Sequence, residues 1–108
     1  MLTRLGTEPV RLAAGQREAS IVFEEKVKRV SGFGGCNRFS GSYLLDAGAN
    51  RLRLGALAIS KMACVGRDFE TPFLRALGNV ASTRITDSHL ELLDASGVVL
   101  ARLEARNL

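Results

Sequence analysis

Three glycines within four positions, Gly32, Gly34 and Gly35, restrict what this chain can fold into. Glycine adopts backbone angles that are closed to other residues, so the cluster predicts a sharp bend and argues against a helix. The stretches on either side, residues 27–32 and 39–44, are rich in the residues that favour strands. We therefore expect the glycines to turn the chain from one β-strand into the next.

Most of the chain is typical of short strands joined by hairpin-length turns, such as Asp94–Gly97. We expect about eight short strands, with antiparallel neighbours. Arg51–Leu54 alternates polar and apolar residues cleanly. The stretches Val10–Leu12 and Leu57–Met62 are also predicted to be strands.

One segment late in the chain is typical of an amphipathic helix. Phe69, Phe73, Leu77 and Val80 follow at steps of four, four and three and form one apolar stripe. Asp68 suits the N-cap, Glu70 suits the positive end of the helix dipole, and Gly78–Asn79 suits the end. We expect a mainly β fold of the α+β class. It is an antiparallel curved sheet or a cracked β-barrel with a single packed helix, in one domain over residues 1–108.

The net charge of +4 does not predict a nucleic-acid partner. Basic residues are interleaved with acidic ones along the whole chain, and there is no Trp to stack on a base. The densest basic run is Lys26–Arg29, in which Lys26 and Lys28 are expected to share the solvated face of a strand.

The residues on their own indicate no catalytic, cofactor or metal site. The two cysteines, Cys36 and Cys64, are too far apart for a redox CxxC motif, and they are equally consistent with one disulfide or with two buried thiols. A nucleophilic cysteine needs a base, and the only histidine, His89, follows a predicted turn. Met62 is expected to fill the core. We expect a protein that is not an enzyme.

The bend and the strand after it have their own physical interpretation. Phe39, Gly41 and Tyr43 lie on one strand face, and Gly41 leaves room for a helix or a neighbouring backbone. Asn37 tolerates the left-handed region and bonds to nearby backbone. The motif is therefore interpreted as a structural bend. The alternative is a recognition surface around Asn37, Arg38 and Ser40.

Four blocks of the sequence together resemble the META domain family, which includes HslJ-like bacterial heat-shock proteins. They are Gly34–Tyr43, Lys61–Cys64, the helical Glu70–Leu77 and the closing Leu90–Gly97. The resemblance covers roughly residues 30–103. The chain departs from the family pattern at Ser60–Lys61, where Thr-Arg is common, and in having no Trp before Leu2.

The resemblance implies an exported bacterial protein, often an envelope lipoprotein, with no established enzymatic activity. It favours a disulfide between Cys36 and Cys64. It also implies a family motif that is structural and a candidate interaction surface, made of Gly35, Cys36, Asn37, Phe39, Gly41, Tyr43, Met62, Ala63 and Cys64.

These features together favour a non-enzymatic domain of the bacterial cell envelope with a protein-interaction or envelope-stress role. The expected partner is an envelope protein, and the expected location is periplasmic or anchored at the outer membrane. Membrane attachment is expected only through a lipid anchor that this chain lacks, as it lacks a signal segment. The alternative is a carrier of a small apolar ligand or lipid that uses a barrel cavity.

Overall fold

The computed structural model describes residues 2–11, 18–46, 48–60 and 70–104. These residues form ten strands and one helix, two strands more than the sequence indicates. In chain order they are β1 (Leu2–Leu5), β2 (Glu8–Pro9), β3 (Ser20–Glu24), β4 (Arg29–Phe33), β5 (Arg38–Asp46), β6 (Arg51–Leu54), β7 (Ala58–Ile59), α1 (Glu70–Asn79), β8 (Ser82–Thr86), β9 (His89–Leu93) and β10 (Val99–Glu104).

The strands form one antiparallel, curved sheet in the order β2-β1-β10-β9-β8-β6-β5-β4-β3, with β7 added beside β5. The predicted fold class is confirmed, but the sheet does not close into a barrel, because β2 and β3 remain at its two ends. The two ends approach each other at one backbone bond, from Leu2 N to the Ala19 carbonyl at 2.9 Å.

The long strand β5 joins the two halves of the sheet. Its first half lies between β4 and β7, and its second half pairs with β6. The chain leaves this ladder between β6 and β7, and the Ala56 carbonyl and Leu57 then lie against Gly41. A Cβ on Gly41 would stand 2.9 Å from each of them. The space predicted beside Gly41 is therefore occupied by neighbouring backbone and by the Leu57 side chain.

The helix covers one end of the concave face of the sheet. Phe73, Leu77 and Val80 of the predicted stripe are buried, and the Phe73 ring meets the Phe39 ring edge to face at a centroid distance of 6.1 Å. The helix ends at Asn79 as predicted, where Asn79 Nδ2 donates to the Arg75 carbonyl at 3.0 Å. The predicted N-cap Asp68 and Phe69 lie outside the described residues.

The structure corrects the prediction for the basic run Lys26–Arg29. Residues 25–28 form the turn between β3 and β4, and Lys28 has a positive φ of 52°. Lys26 and Lys28 therefore do not share a strand face, because β4 begins only at Arg29.

Two other predicted strands are shorter than expected. Val10 lies outside a strand, since β2 ends at Pro9, and β7 has only two residues. Leu12, Lys61 and Met62 lie outside the described residues.

Substitutions at two glycines test the contact that joins β5 to the β6–β7 connection. We expect Gly41→Ala to lower the free energy of unfolding by about 1–3 kcal/mol, because its methyl group overlaps the Ala56 carbonyl. Gly78→Ala is the matched control. It lies in the helix with no atom within 4 Å of the new methyl group, and we expect a gain of about 0.4–1 kcal/mol. Urea unfolding of both variants measures the difference, and equal effects would contradict the close approach at Gly41.

Candidate functional site

The bend between β4 and β5, together with two side chains that hold it, is named here the glycine corner; it comprises residues 34–37, Ser60 and Glu70. Gly34 N donates to the Asn37 carbonyl at 2.8 Å and closes the turn. Gly35 has a φ of 116°, in the region that only glycine adopts readily. The predicted sharp bend is therefore present, and Gly35 is the residue that requires glycine for its backbone angle.

The carboxylate of Glu70, the first residue of the helix, lies inside this bend. Its Oε1 atom accepts hydrogen bonds from the backbone N–H groups of Asn37 and of Cys36, the latter at 3.2 Å. Its Oε2 atom accepts from Asn37 Nδ2 at 2.9 Å. A Cβ on Gly34 would lie 2.8 Å from Oε1, so a larger residue there would have to displace the carboxylate.

Asn37 connects the bend to β7 as well as to the helix. Its Oδ1 atom accepts from Ser60 Oγ at 3.1 Å, while its Nδ2 atom bonds to Glu70. Ser60 Oγ also accepts from Arg38 N at 3.1 Å, and Ser60 N donates to the Arg38 carbonyl at 3.0 Å. Asn37 does not adopt the left-handed region that its residue type tolerates, and its side chain instead joins the turn to a strand end and to the helix start.

The motif residues divide between the core and the corner. Phe39, Gly41 and Tyr43 are buried and share one face of β5, as predicted. Cys36 is disulfide-bonded. Its expected partner Cys64 lies outside the described residues together with Met62 and Ala63, so that pairing stays a prediction.

The expected recognition residues Arg38 and Ser40 lie on the outer face of the sheet, apart from the Asn37 side chain. They border an open groove of about 640 Å³ together with Phe33 and Ile59. Asn37 is not among the lining residues, but its Oδ1 atom accepts from Ser60 Oγ, and Ser60 is one of them. The predicted surface is therefore divided: Arg38 and Ser40 line the groove, and Asn37 belongs to the glycine corner that adjoins it through Ser60.

A second feature, which the sequence did not indicate, lies at the opposite end of β4 and β5. The concave face continues there beyond the helix into an apolar crevice of about 320 Å³, named here the mouth. Tyr43 and Leu52 are almost fully buried at its floor, whereas Leu45 and Ile85 are 50% and 74% exposed. The lining residues are Phe23, Glu25, Lys28, Tyr43, Leu45, Leu52, Thr83, Ile85 and Leu90.

The strand register explains why these side chains converge. Leu45 lies opposite Leu52 across β5 and β6, and Ile85 lies opposite Leu90 across β8 and β9. Cross-strand partners project from the same face of a sheet, so both pairs point to the concave side. The Phe23 ring packs edge to face on Tyr43 at 5.1 Å and forms a further wall.

Charges lie at the rim of the mouth and on the outer face of the neighbouring strands. Glu25 and Lys28, from the turn between β3 and β4, are the charged residues of the lining. On the outer face, Arg84 Nε donates to Glu91 Oε1 at 2.7 Å. This bond lowers the pKa of the Glu91 carboxyl below its ordinary value, against a smaller opposing effect of burial.

The described part of the chain has neither a metal-ligand cluster nor a membrane-spanning helix. No three His, Cys, Asp or Glu side chains come together there as a ligand set for a metal ion. His89 begins β9 and lies opposite Thr86 and Glu104. No helix in the same residues has the length and apolar character needed to cross a membrane.

Replacing Glu70 tests the glycine corner. Glu70→Gln removes the charge and places an amide donor against either Asn37 Nδ2 or the backbone N–H groups. We therefore expect the free energy of unfolding to fall by about 1–3 kcal/mol. Glu8→Gln, at an exposed position of β2, is the control and should change it by less than about 0.5 kcal/mol. Thermal and urea unfolding at neutral pH measure both, and a loss at Glu70 no larger than at Glu8 would contradict the corner's role.

Comparison with solved structures finds the same fold in other proteins. The chain is 24% identical to a protein from Burkholderia xenovorans solved by NMR, with a TM-score of 0.72, covering 99% of this chain and 79% of that one. A second NMR structure is 27% identical, with a TM-score of 0.67, covering 94% and 83%. A crystal structure of a DUF4847 family protein from Bacteroides vulgatus is 14% identical, with a TM-score of 0.63. The match covers 83% of this chain but only 60% of the Bacteroides protein.

Comparison with sequences identifies a family but no individual curated relative. No curated protein matches the chain. The family model of the META domain matches residues 1–107, nearly the whole chain. The match includes all the residues that form the glycine corner and the mouth. This chain belongs to the META domain family.

Proposed function

We propose that this domain is a non-enzymatic binding module of the bacterial cell envelope, and that it holds an apolar group of a partner protein in the mouth. The observation that carries the proposal is the exposure of Leu45 and Ile85 on the concave face of the sheet. The same face is buried at its other end, under the helix.

Exposed apolar side chains surrounded by polar ones are typical of interaction sites. The mouth has this arrangement, because Glu25 and Lys28 stand beside an otherwise apolar lining. The buried side chains of Tyr43 and Leu52 form its floor and limit how far a bound group can enter. A single aliphatic or aromatic side chain of a partner matches such a crevice, and pockets of this kind hold the residues that dominate binding energy in protein interfaces.

The polar side chains of the glycine corner support a structural role for it. Glu70, Asn37 and Ser60 are linked by hydrogen bonds and also bond to backbone groups, so they hold three elements together. This use of the motif supports binding, and not catalysis, as the task of the domain. Membership of the META domain family supports the envelope location and the stress-related role, which are the expectations that the sequence resemblance implies.

Site-specific cross-linking in cells tests this proposal. A photoreactive amino acid at position 85 or 45 of the full-length gene product should form an adduct with the same partner. The matched control is position 98, which is as exposed as position 45 and lies at the other end of β9. Adducts should fractionate with the envelope. Equal adducts at 85 and 98, no adduct at 85, or recovery in the cytosol would contradict the proposal.

A small apolar ligand or lipid is the second candidate for the mouth. The volume of about 320 Å³ lies at the lower limit of typical ligand pockets, which span about 300–1,000 Å³. Its apolar lining matches one short acyl chain as well as a side chain. The domain would then be a carrier instead of a protein-binding module.

Native mass spectrometry of protein purified from its own cells separates the two candidates. The primary proposal predicts the mass of the protein alone, because a partner side chain leaves with its partner. A carrier predicts an added mass that disappears in Thr83→Phe, which fills the crevice from its half-exposed wall. Val98→Phe, outside the mouth, is the control and should leave such an added mass in place.

A further inference from the structure

In the described part of the chain, the edge strand β3 has an unpaired side. This edge does not depend on the mouth proposal, although Phe23 of the same strand lines the mouth. β3 pairs with β4 on one side, and the described residues place no strand against its other side. The approach of the two sheet ends stops at the bond from Leu2 N to the Ala19 carbonyl. Unpaired strand edges are templates for pairing with another strand.

Alternation along the strand identifies the backbone groups on this edge. The Ala19 carbonyl points away from β4, toward Leu2, and the Ser20 carbonyl points toward Gly32 of β4. Successive residues of a strand direct their N–H and C=O groups to alternate sides. Ile21 and Phe23 therefore present both groups to the open edge.

The side chains of this edge are apolar on both faces of the sheet. Ile21 and Phe23 are half-buried and pack against the core. Val22, between them, projects from the outer face and is 53% exposed. An exposed, flat, apolar edge strand is uncommon without a covering partner.

We propose that two copies of this chain pair through β3, antiparallel about a twofold axis at Val22. In this register Ile21 of each copy lies opposite Phe23 of the other and exchanges both backbone hydrogen bonds with it. Val22 lies opposite its own copy, which removes its exposed side chain from water. The two sheets then continue into each other, and each copy supplies the same surface.

Three registers pair the same backbone groups, and the positions of the glutamates favour the one centred on Val22. A register centred on Ile21 sets Glu24 opposite Glu18, and like charges directly opposite are destabilising. A register centred on Phe23 sets Glu25 opposite Ile21, on the core-facing side. The register centred on Val22 sets Glu24 opposite Ser20 and keeps Glu24 beside Arg29 of its own β4.

The size of the contact sets the expected strength. β3 has five residues, whereas stable interfaces use about 20–30 residues on each side. The dimer is therefore weak and reversible, with a dissociation constant in the micromolar range or above.

Charged substitutions of Val22, at the centre of the proposed interface, test the dimer. Sedimentation of the wild-type domain from micromolar concentrations to about 1 mM should show monomers converting to dimers. Val22→Lys and Val22→Glu should each weaken association several-fold to about tenfold, because each sets like charges opposite one another. An equimolar mixture of the two variants should restore the dimer. Val98→Lys, at a similarly exposed position, should associate as the wild type does.

Two further measurements show whether the association uses the edge of β3. Thermal unfolding at concentrations where all are monomers should show both Val22 variants folded, with at most a small loss of stability relative to the wild type, since the side chain is half exposed. Amide exchange at Ile21 and Phe23 should slow as concentration rises. A wild type that stays monomeric up to about 1 mM, a Val22→Lys variant that associates like the wild type, or a dimer without protection at these amides would overturn the proposal.

Discussion

The carboxylate of Glu70 inside the glycine bend is the interaction on which the arrangement of this domain depends. Backbone N–H groups at a sharp turn are hard to satisfy, and here a charged oxygen accepts two of them. Glu70 is also the first residue of the helix. Its hydrogen bonds to Cys36 and Asn37 therefore fix where the helix starts relative to β4 and β5. Through Asn37 and Ser60 the corner also holds the end of β7.

The placement of the helix decides which part of the concave face is buried. Phe73 packs on Phe39 near the corner, while the described helix does not line the mouth at the other end of the same face. Tyr43 and Leu52 are still buried there by neighbouring side chains, but Leu45 and Ile85 are not. A corner at one end of the strands and a mouth at the other thus follow from anchoring a ten-residue helix at its first residue.

The sequence pattern predicted the structure correctly where residues close together in the chain determine it. The alternation of Phe39, Gly41 and Tyr43, the helical stripe of Phe73 and Leu77, and the turn after Leu93 all depend on periodicity or turn chemistry. The strand beginning at Arg29 was misplaced because Lys28 adopts a positive φ, which no alternation pattern reveals. Glu70 was interpreted only as a charge suited to its own helix, because its partners lie 33 and 34 residues earlier in the chain.

The sequence by itself determined the fold class, the helix and its buried stripe, the glycine bend and the family, since each is written in local spacing or in blocks of motif. Only the tertiary structure decided that the sheet stays open, that the Asn37 amide bonds to Glu70 and Ser60, and that apolar side chains from β3, β5, β6, β8 and β9 meet at the mouth. The physical reason is that hydrogen bonds and burial between distant segments depend on strand order and register, which short-range patterns do not encode.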